Sequence, residues 1–139
     1  EGSVNQVRDD GLMALFGAPV AHEDHAVRAC HAALSMHERV AHLAADMRSR
    51  LGADLTVRIG VHSGDVALRV ISDEIRLDYG AIPQTTHVAA RMQQAARVGA
   101  TLITAETLRL AEECCMSGGA GKECSLDYLD SLPEKDEIK

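Results

Sequence analysis

The chain has almost no aromatic side chains: no Trp, one Phe and two Tyr in 139 residues. Sequence-tolerant binding of single-stranded nucleic acid relies on aromatic stacking platforms, so that class of function is excluded. A basic excess is also missing. Lys and Arg number 14 against 21 Asp and Glu, a formal charge of −7. Such a chain repels a phosphate backbone over a Debye length unless a basic stripe compensates, and here the arginines are scattered. The acidic balance suits solubility and phosphate ligands bridged by a metal ion. No apolar run reaches the roughly 20 residues of a membrane span. The start, Glu1-Gly2-Ser3-Val4, lacks the basic and apolar regions of a secretory signal, and the expectation is a cytoplasmic protein. No C-x-x-C pair exists among Cys30, Cys114, Cys115 and Cys124, which removes the usual zinc pattern. Cys30 on an apolar helix face and the adjacent Cys114-Cys115 suit reduced thiols.

What is present is 46% hydrophobic content, enough for one core built from Ala, Val, Leu, Ile and Met. Val4 to Arg8, a turn at Asp9-Asp10-Gly11 and Leu12 to Phe16 read as a β-hairpin. Asp-Gly between apolar runs is a strong hairpin signal, because Gly accepts the positive φ of a tight turn. From His22 to Leu51, the residues Val27, Cys30, Leu34, Val40, Leu43, Met47 and Leu51 recur mostly at helical spacing, and Gly52 closes that helix. Leu55 to Val61 alternates as a strand, and Ser63-Gly64-Asp65 turns it into Val66 to Ile71, a second hairpin. Ser72-Asp73-Glu74 is a polar break, and Leu77 to Ile82 extends briefly before Pro83. Thr85 to Ala96 reads as a helix, Thr101 to Thr104 as a short strand and Ala105 to Glu113 as a last helix. Residues 4–112 are expected to form one domain, and 113–139 a loose C-terminal tail or linker. Hairpin, helix, hairpin, helix and strand make an α+β, ferredoxin-like pattern: an antiparallel-rich sheet with helices on one face. It lacks the strand expected before Val4.

Two segments could carry chemistry. Asp9 and Asp10 stand at a hairpin tip, where a carboxylate can reach a divalent cation, since Mg²⁺ commonly takes one or two carboxylates plus phosphate oxygens. The same pair also fits a solvated turn chosen for its Asp-Gly geometry. His87 and Arg91 are four apart at the start of a helix, so they share a face. There a guanidinium fork and the helix N-terminus could hold a polyphosphate; a surface ion pair is the plainer reading of Arg91. The histidines His22, His25, His31, His37 and His42 read as solvated residues of the long helix.

In order and spacing, four blocks resemble bacterial class III adenylate/guanylate cyclase domains of the ATPase-linked subgroup: Asp10 to Pro19, His22 to Cys30, Val57 to Val66 and Gln84 to Met92. The resemblance covers roughly Val4 to Leu110. It implies conversion of ATP or GTP to a 3′,5′-cyclic nucleotide and pyrophosphate with two metal ions, Mg²⁺ or Mn²⁺. Two aspartates hold those ions in the family. Asp10 matches the second, and the first is expected on a strand before Val4. Arg91 matches the arginine that stabilises charge on the transferring phosphoryl group, and His87 stands where many members orient the ribose with Asn. Gly11, Gly80 and Thr85 fall at nucleotide-binding positions. Gly80 replaces the Thr or Asp that usually reads the base, and Gln6 a base-reading lysine. The family assembles as a homodimer with active sites at the interface and often belongs to longer proteins with further domains.

Two functions fit these residues. One is cyclisation of ATP or GTP; the other is a catalytically degenerate cyclase-homology module that senses nucleotide or dimerises. A ferredoxin-like metal- or RNA-binding domain fits the architecture, but the C-x-x-C spacing and aromatic contact motifs are missing.

Overall fold

The computed structural model describes residues 2–8, 10–71, 74–77 and 83–117. It opens with strands β1 (Gly2–Arg8) and β2 (Gly11–Phe16), paired antiparallel with Arg8 opposite Gly11 and Gly2 opposite Phe16. The hairpin is as expected, and its pairing reaches Gly11 opposite Arg8. Gly11 belongs to β2 and is not among the positive-φ glycines Gly17, Gly52 and Gly99, so a left-handed turn conformation is not its role. The register slips between Val4 and Gln6, a local bulge.

Helix α1 runs His25–Leu51, starting three residues later than the periodicity predicts. Asp24 is its N-cap but makes no side-chain cap bond; its Oδ1 accepts a hydrogen bond from Arg28 Nε at 2.7 Å, an ion pair one turn on. Gly52 ends the helix as expected, at φ 65°, with its N–H bonded to the Arg48 carbonyl. The buried face includes the predicted Cys30 but is otherwise made of alanines. Ala26, Ala29, Cys30 and Ala33 are buried, whereas Leu43 is 50% and Leu51 73% exposed. Small residues let helix α3 (Ala105–Ser117) come close: Ala26, Cys30 and Ala111 form one core cluster, flanked by Val27 and Leu110. Cys30 there is a free thiol.

The second predicted hairpin is not formed. Strand β3 (Ile59–Val61) pairs in parallel with β6 (Thr101–Ile103), while β4 (Leu68–Ile71) pairs antiparallel with β5 (Glu74–Leu77). A parallel pair needs a crossover, and the stretch between β3 and β6 supplies it through β4, β5 and helix α2 (Pro83–Ala95). Ser63-Gly64-Asp65 therefore leads out of one sheet instead of folding back on it. The alternation read from Leu55 is present in exposure, but only its last three residues are strand. Pro83 takes the first position of α2, where its missing N–H costs nothing. The last helix continues to Ser117, past the expected Glu113.

Among the described residues the strands form three two-stranded ladders. Helix α2 packs on β3 and β6, where Met92, Ala96 and Leu102 form the second core cluster with Val88 against it. The mixed α+β class stands. Its core is made of small and aliphatic side chains, as the scarcity of aromatics requires.

Candidate functional site

Asp10 sits exposed at the tip between β1 and β2, and Gly11 follows it at the start of β2. A Cβ built on Gly11 would meet nothing within 4 Å, so the tip is open. The hairpin packs on α1 through β2, and α2 packs elsewhere, on β3 and β6. His87 and Arg91 are both exposed, one turn apart on α2. Among the described residues Arg91 makes no ion pair, in contrast to Arg28, Arg48, Arg50 and Arg109. Gly80 lies outside the described residues. Thr85, on the first turn of α2, donates its hydroxyl to the Asp65 carbonyl at 2.7 Å, so its hydrogen is committed within the chain. No cluster of three or more His, Cys, Asp or Glu able to hold a metal occurs among the described residues. A single open carboxylate fits a metal site that substrate phosphates would complete.

Behind α2 lies a polar cluster that the sequence reading did not single out. His62 Nδ1 is 3.0 Å from Thr104 Oγ1. Thr104 Oγ1 is 3.0 Å from Thr107 Oγ1 and accepts the Thr107 N–H at 3.4 Å, capping α3. Thr107 is fully buried and donates its hydroxyl to Ser63 Oγ at 3.1 Å. Burial pushes the His62 imidazole below its ordinary pKa, with the negative charge of Glu106 working against that shift. Hydrogen bonding from Arg109 holds the Glu106 carboxyl below the usual carboxylate range. His62, Ser63 and Gly64 lie within the motif blocks read from the sequence. Thr107 gives no such signal, because a lone Thr in a helix looks ordinary.

Two glycines set how closely α2 approaches. A Cβ at Gly60 would run into the main chain at Gln93 N and Ala89 O. A Cβ at Gly64 would come 2.9 Å from Thr85 Oγ1. A separate cleft of about 270 Å³, lined by Val4, Leu15, Pro19 and Leu68 among others, contains none of the candidate residues.

Residues 6–126 match the family described as "Adenylate and Guanylate cyclase catalytic domain". The chain belongs to this cyclase family. It is 31% identical over 93 residues to "Adenylate cyclase 1" of Rhizobium meliloti (strain 1021), a match covering 67% of this chain and 14% of that protein. Among solved structures it is similar to the non-canonical dimeric guanylyl cyclase domain of the RhoGC fusion protein from the aquatic fungus Blastocladiella emersonii. That likeness has a TM-score of 0.66 and 25% identity, covering 81% of this chain and 60% of that one. It is also similar to the guanylate cyclase domain of RhGC from Catenaria anguillulae in complex with GTP, with a TM-score of 0.62, 25% identity, and 78% and 57% of the two chains covered. The chain thus spans a small part of its curated cyclase relative and less than two thirds of these solved domains. Within it, no described helix is long and apolar enough to cross a membrane.

Proposed function

We propose that this cyclase-family chain takes part in converting ATP or GTP to the 3′,5′-cyclic nucleotide and pyrophosphate for signalling. The ribose 3′-oxygen bonds to the α-phosphorus, the bond from that phosphorus to the pyrophosphate oxygen breaks, and the 3′-hydroxyl proton passes to water. The observation that carries this reading is Arg91: an exposed guanidinium, free of ion pairs among the described residues, one helical turn beyond His87. A guanidinium fork suits the charge that builds on a transferring phosphoryl group, and in this reading His87 orients the ribose beside it. Asp10, with open space over Gly11, offers a carboxylate to a Mg²⁺ or Mn²⁺ bound with the triphosphate. Such an ion, when present, supplies Lewis-acid polarisation of the phosphate and lowers the pKa of the attacking hydroxyl. Gly80 and Thr85 flank the nucleotide in this reading, Thr85 through its oxygen lone pair and the start of α2.

In this reading the site forms in a homodimer that faces Asp10 of one copy with Arg91 of the other. Further domains of a longer protein would supply the signal. The test is cyclic-nucleotide formation by the full-length protein with either nucleotide and Mg²⁺ or Mn²⁺, resolved by chromatography. Product is expected, falling at least about a hundredfold in Asp10→Ala. Product no greater than in Asp10→Ala overturns the reading, and metal-dependent nucleotide binding without turnover would assign the chain to sensing.

A further inference from the structure

The hydroxyl cluster behind α2 has a direction that proton counting reveals. Thr107 gives its one hydroxyl hydrogen to Ser63 Oγ, so in the 3.0 Å pair with Thr104 it can only accept, and Thr104 is the donor. With that hydrogen used, Thr104 Oγ1 must accept from both remaining neighbours, the Thr107 N–H and His62 Nδ1. His62 therefore carries its proton on Nδ1, and both lone pairs of Thr104 are filled. The result is a directed chain, His62 to Thr104 to Thr107 to Ser63, anchored on a threonine with no solvent exposure.

Its two ends lie side by side at the start of the loop that leaves β3. His62 and Ser63 are the first loop residues, and two positions on, the Asp65 carbonyl accepts the Thr85 hydroxyl from the first turn of α2 at 2.7 Å. Gly64 between them leaves room for that turn, since a Cβ there would press on Thr85 Oγ1 and Cγ2 at 2.9 and 3.2 Å. The middle of α2 is held separately, where Gly60 meets the main chain of Ala89 and Gln93. Among the described residues, the Thr85–Asp65 bond is the contact of α2 that adjoins the hydroxyl chain, while the packing at Gly60 and around Met92 lies further along the helix.

We propose that the buried hydroxyl chain from His62 to Ser63, acting through the Asp65 carbonyl and Thr85, sets the pose of the first turn of α2, which makes Thr107 a positioning residue for His87 and Arg91. The catalytic half of this statement rests on the cyclase reading above; the structural half stands on the hydrogen bonds alone. Loss of a fixed α2 start would spoil orientation in the transition state more than ground-state binding of the nucleotide.

The experiment compares the full-length protein with Thr107→Val and Thr107→Ser, measuring steady-state cyclase kinetics, thermal midpoint and amide hydrogen exchange. Val keeps the shape and removes the hydroxyl; Ser restores the hydroxyl. The expected result is a kcat about tenfold lower in Thr107→Val with KM within about twofold, faster exchange at the amides of Thr86 to Ala89, and recovery of both in Thr107→Ser. Ser63→Ala, which cuts the same chain at the loop, is expected to reproduce the exchange change and covers the case in which Thr107→Val fails to fold. Exchange at the start of α2 unchanged in the folded variants overturns the proposal whatever the activity. A rise in exchange spread evenly over the protein, with no recovery in Thr107→Ser, also overturns it, because Thr107 would then be a general stabiliser. Localised exchange changes in a protein that forms no cyclic nucleotide would support the linkage and overturn the cyclase reading.

Discussion

Gly60 in β3 stands so close to Gln93 in α2 that a single added carbon would run into the helix main chain. In a strand, Gly→Ala ordinarily gains about 0.5–1 kcal/mol by restricting the unfolded chain. Here overpacking opposes it, at about 1–3 kcal/mol, and the clash is with backbone, which has no rotamer to escape into. Gly60→Ala is therefore expected to destabilise the protein, read as a lower urea midpoint at unchanged slope. A neutral or stabilising result would mean that β3 and α2 do not approach in this way.

His37 reads from the sequence as one more solvated histidine, yet its Nε2 lies 2.8 Å from Thr101 Oγ1, and Thr101 is buried on β6. The bond joins the middle of α1 to the strand paired with β3. Removing one partner leaves a buried polar group unsatisfied, at about 1–3 kcal/mol. His37→Leu, which strands the buried Thr101 hydroxyl, is expected to lose about that much on chemical denaturation, and Thr101→Val in the same background is expected to add no further loss, since the two changes remove one interaction. Full additivity of the two losses would show that the pair does not interact.

These two contacts mark where sequence reasoning stops. Elements set by local rules were legible: the β1–β2 hairpin from Asp-Gly between apolar runs, the end of α1 from Gly52, and α2 itself, although it starts at Pro83, two residues before the expected Thr85. Asp10, His87 and Arg91 were picked out because a hairpin tip and an i, i+4 pair are local patterns, and all three are exposed. Pairing between distant segments was not legible. The β3 segment alternates equally well for an antiparallel neighbour at residues 66–71 as for the parallel partner β6, some 40 residues on, and nothing in Ser63-Gly64-Asp65 announces that its bonds go to Thr107 and Thr85. The apolar face of α1 was legible at Val27 and Cys30 but overextended to Leu43 and Leu51, because periodicity weighs large residues, whereas close packing against α3 selects the small Ala26 beside Cys30. A buried Thr107 is invisible for the same reason: its role is defined by a partner 44 positions away.

The pH dependence of stability should carry the mark of His62. Burial holds its folded pKa below the ordinary value of 6.5, so near that pH the unfolded chain binds more protons than the folded one. Stability then rises with pH across the interval between the folded and unfolded values. The contribution is complete above about pH 6.5 and is lost as the pH falls through the folded value. Arg109 keeps the Glu106 carboxyl below its ordinary 4.5, so its slope of the same sign falls at the acid end of the range and is shared by His62→Asn. His62→Asn keeps a side-chain N–H near Thr104 but cannot titrate. Urea midpoints at pH 7.5 and at steps down to pH 5 are expected to fall more steeply for the natural protein than for His62→Asn. Parallel curves would remove His62 as the source.

Arg91 separates catalysis from stability, and one copy of the chain from two. Its side chain is exposed and pairs with no acidic group among the described residues, so Arg91→Ala is expected to leave the thermal midpoint within about 1 °C, as for surface changes generally. If Arg91 meets charge that grows on the phosphoryl group, kcat falls by about 10²–10³ with a smaller change in KM. Lysine should recover little, since a point charge lacks the planar fork. The dimeric arrangement makes a sharper demand. Asp10→Ala and Arg91→Ala are each inactive as homodimers, but a mixed dimer holds one site with both lesions and one with neither. Random pairing of equal amounts makes half the dimers mixed, each with one of two sites intact, so activity should return to about a quarter of the natural protein's. No recovery on mixing, with exchange of subunits verified by a labelled copy, would place Asp10 and Arg91 in the same copy's site or in no common site.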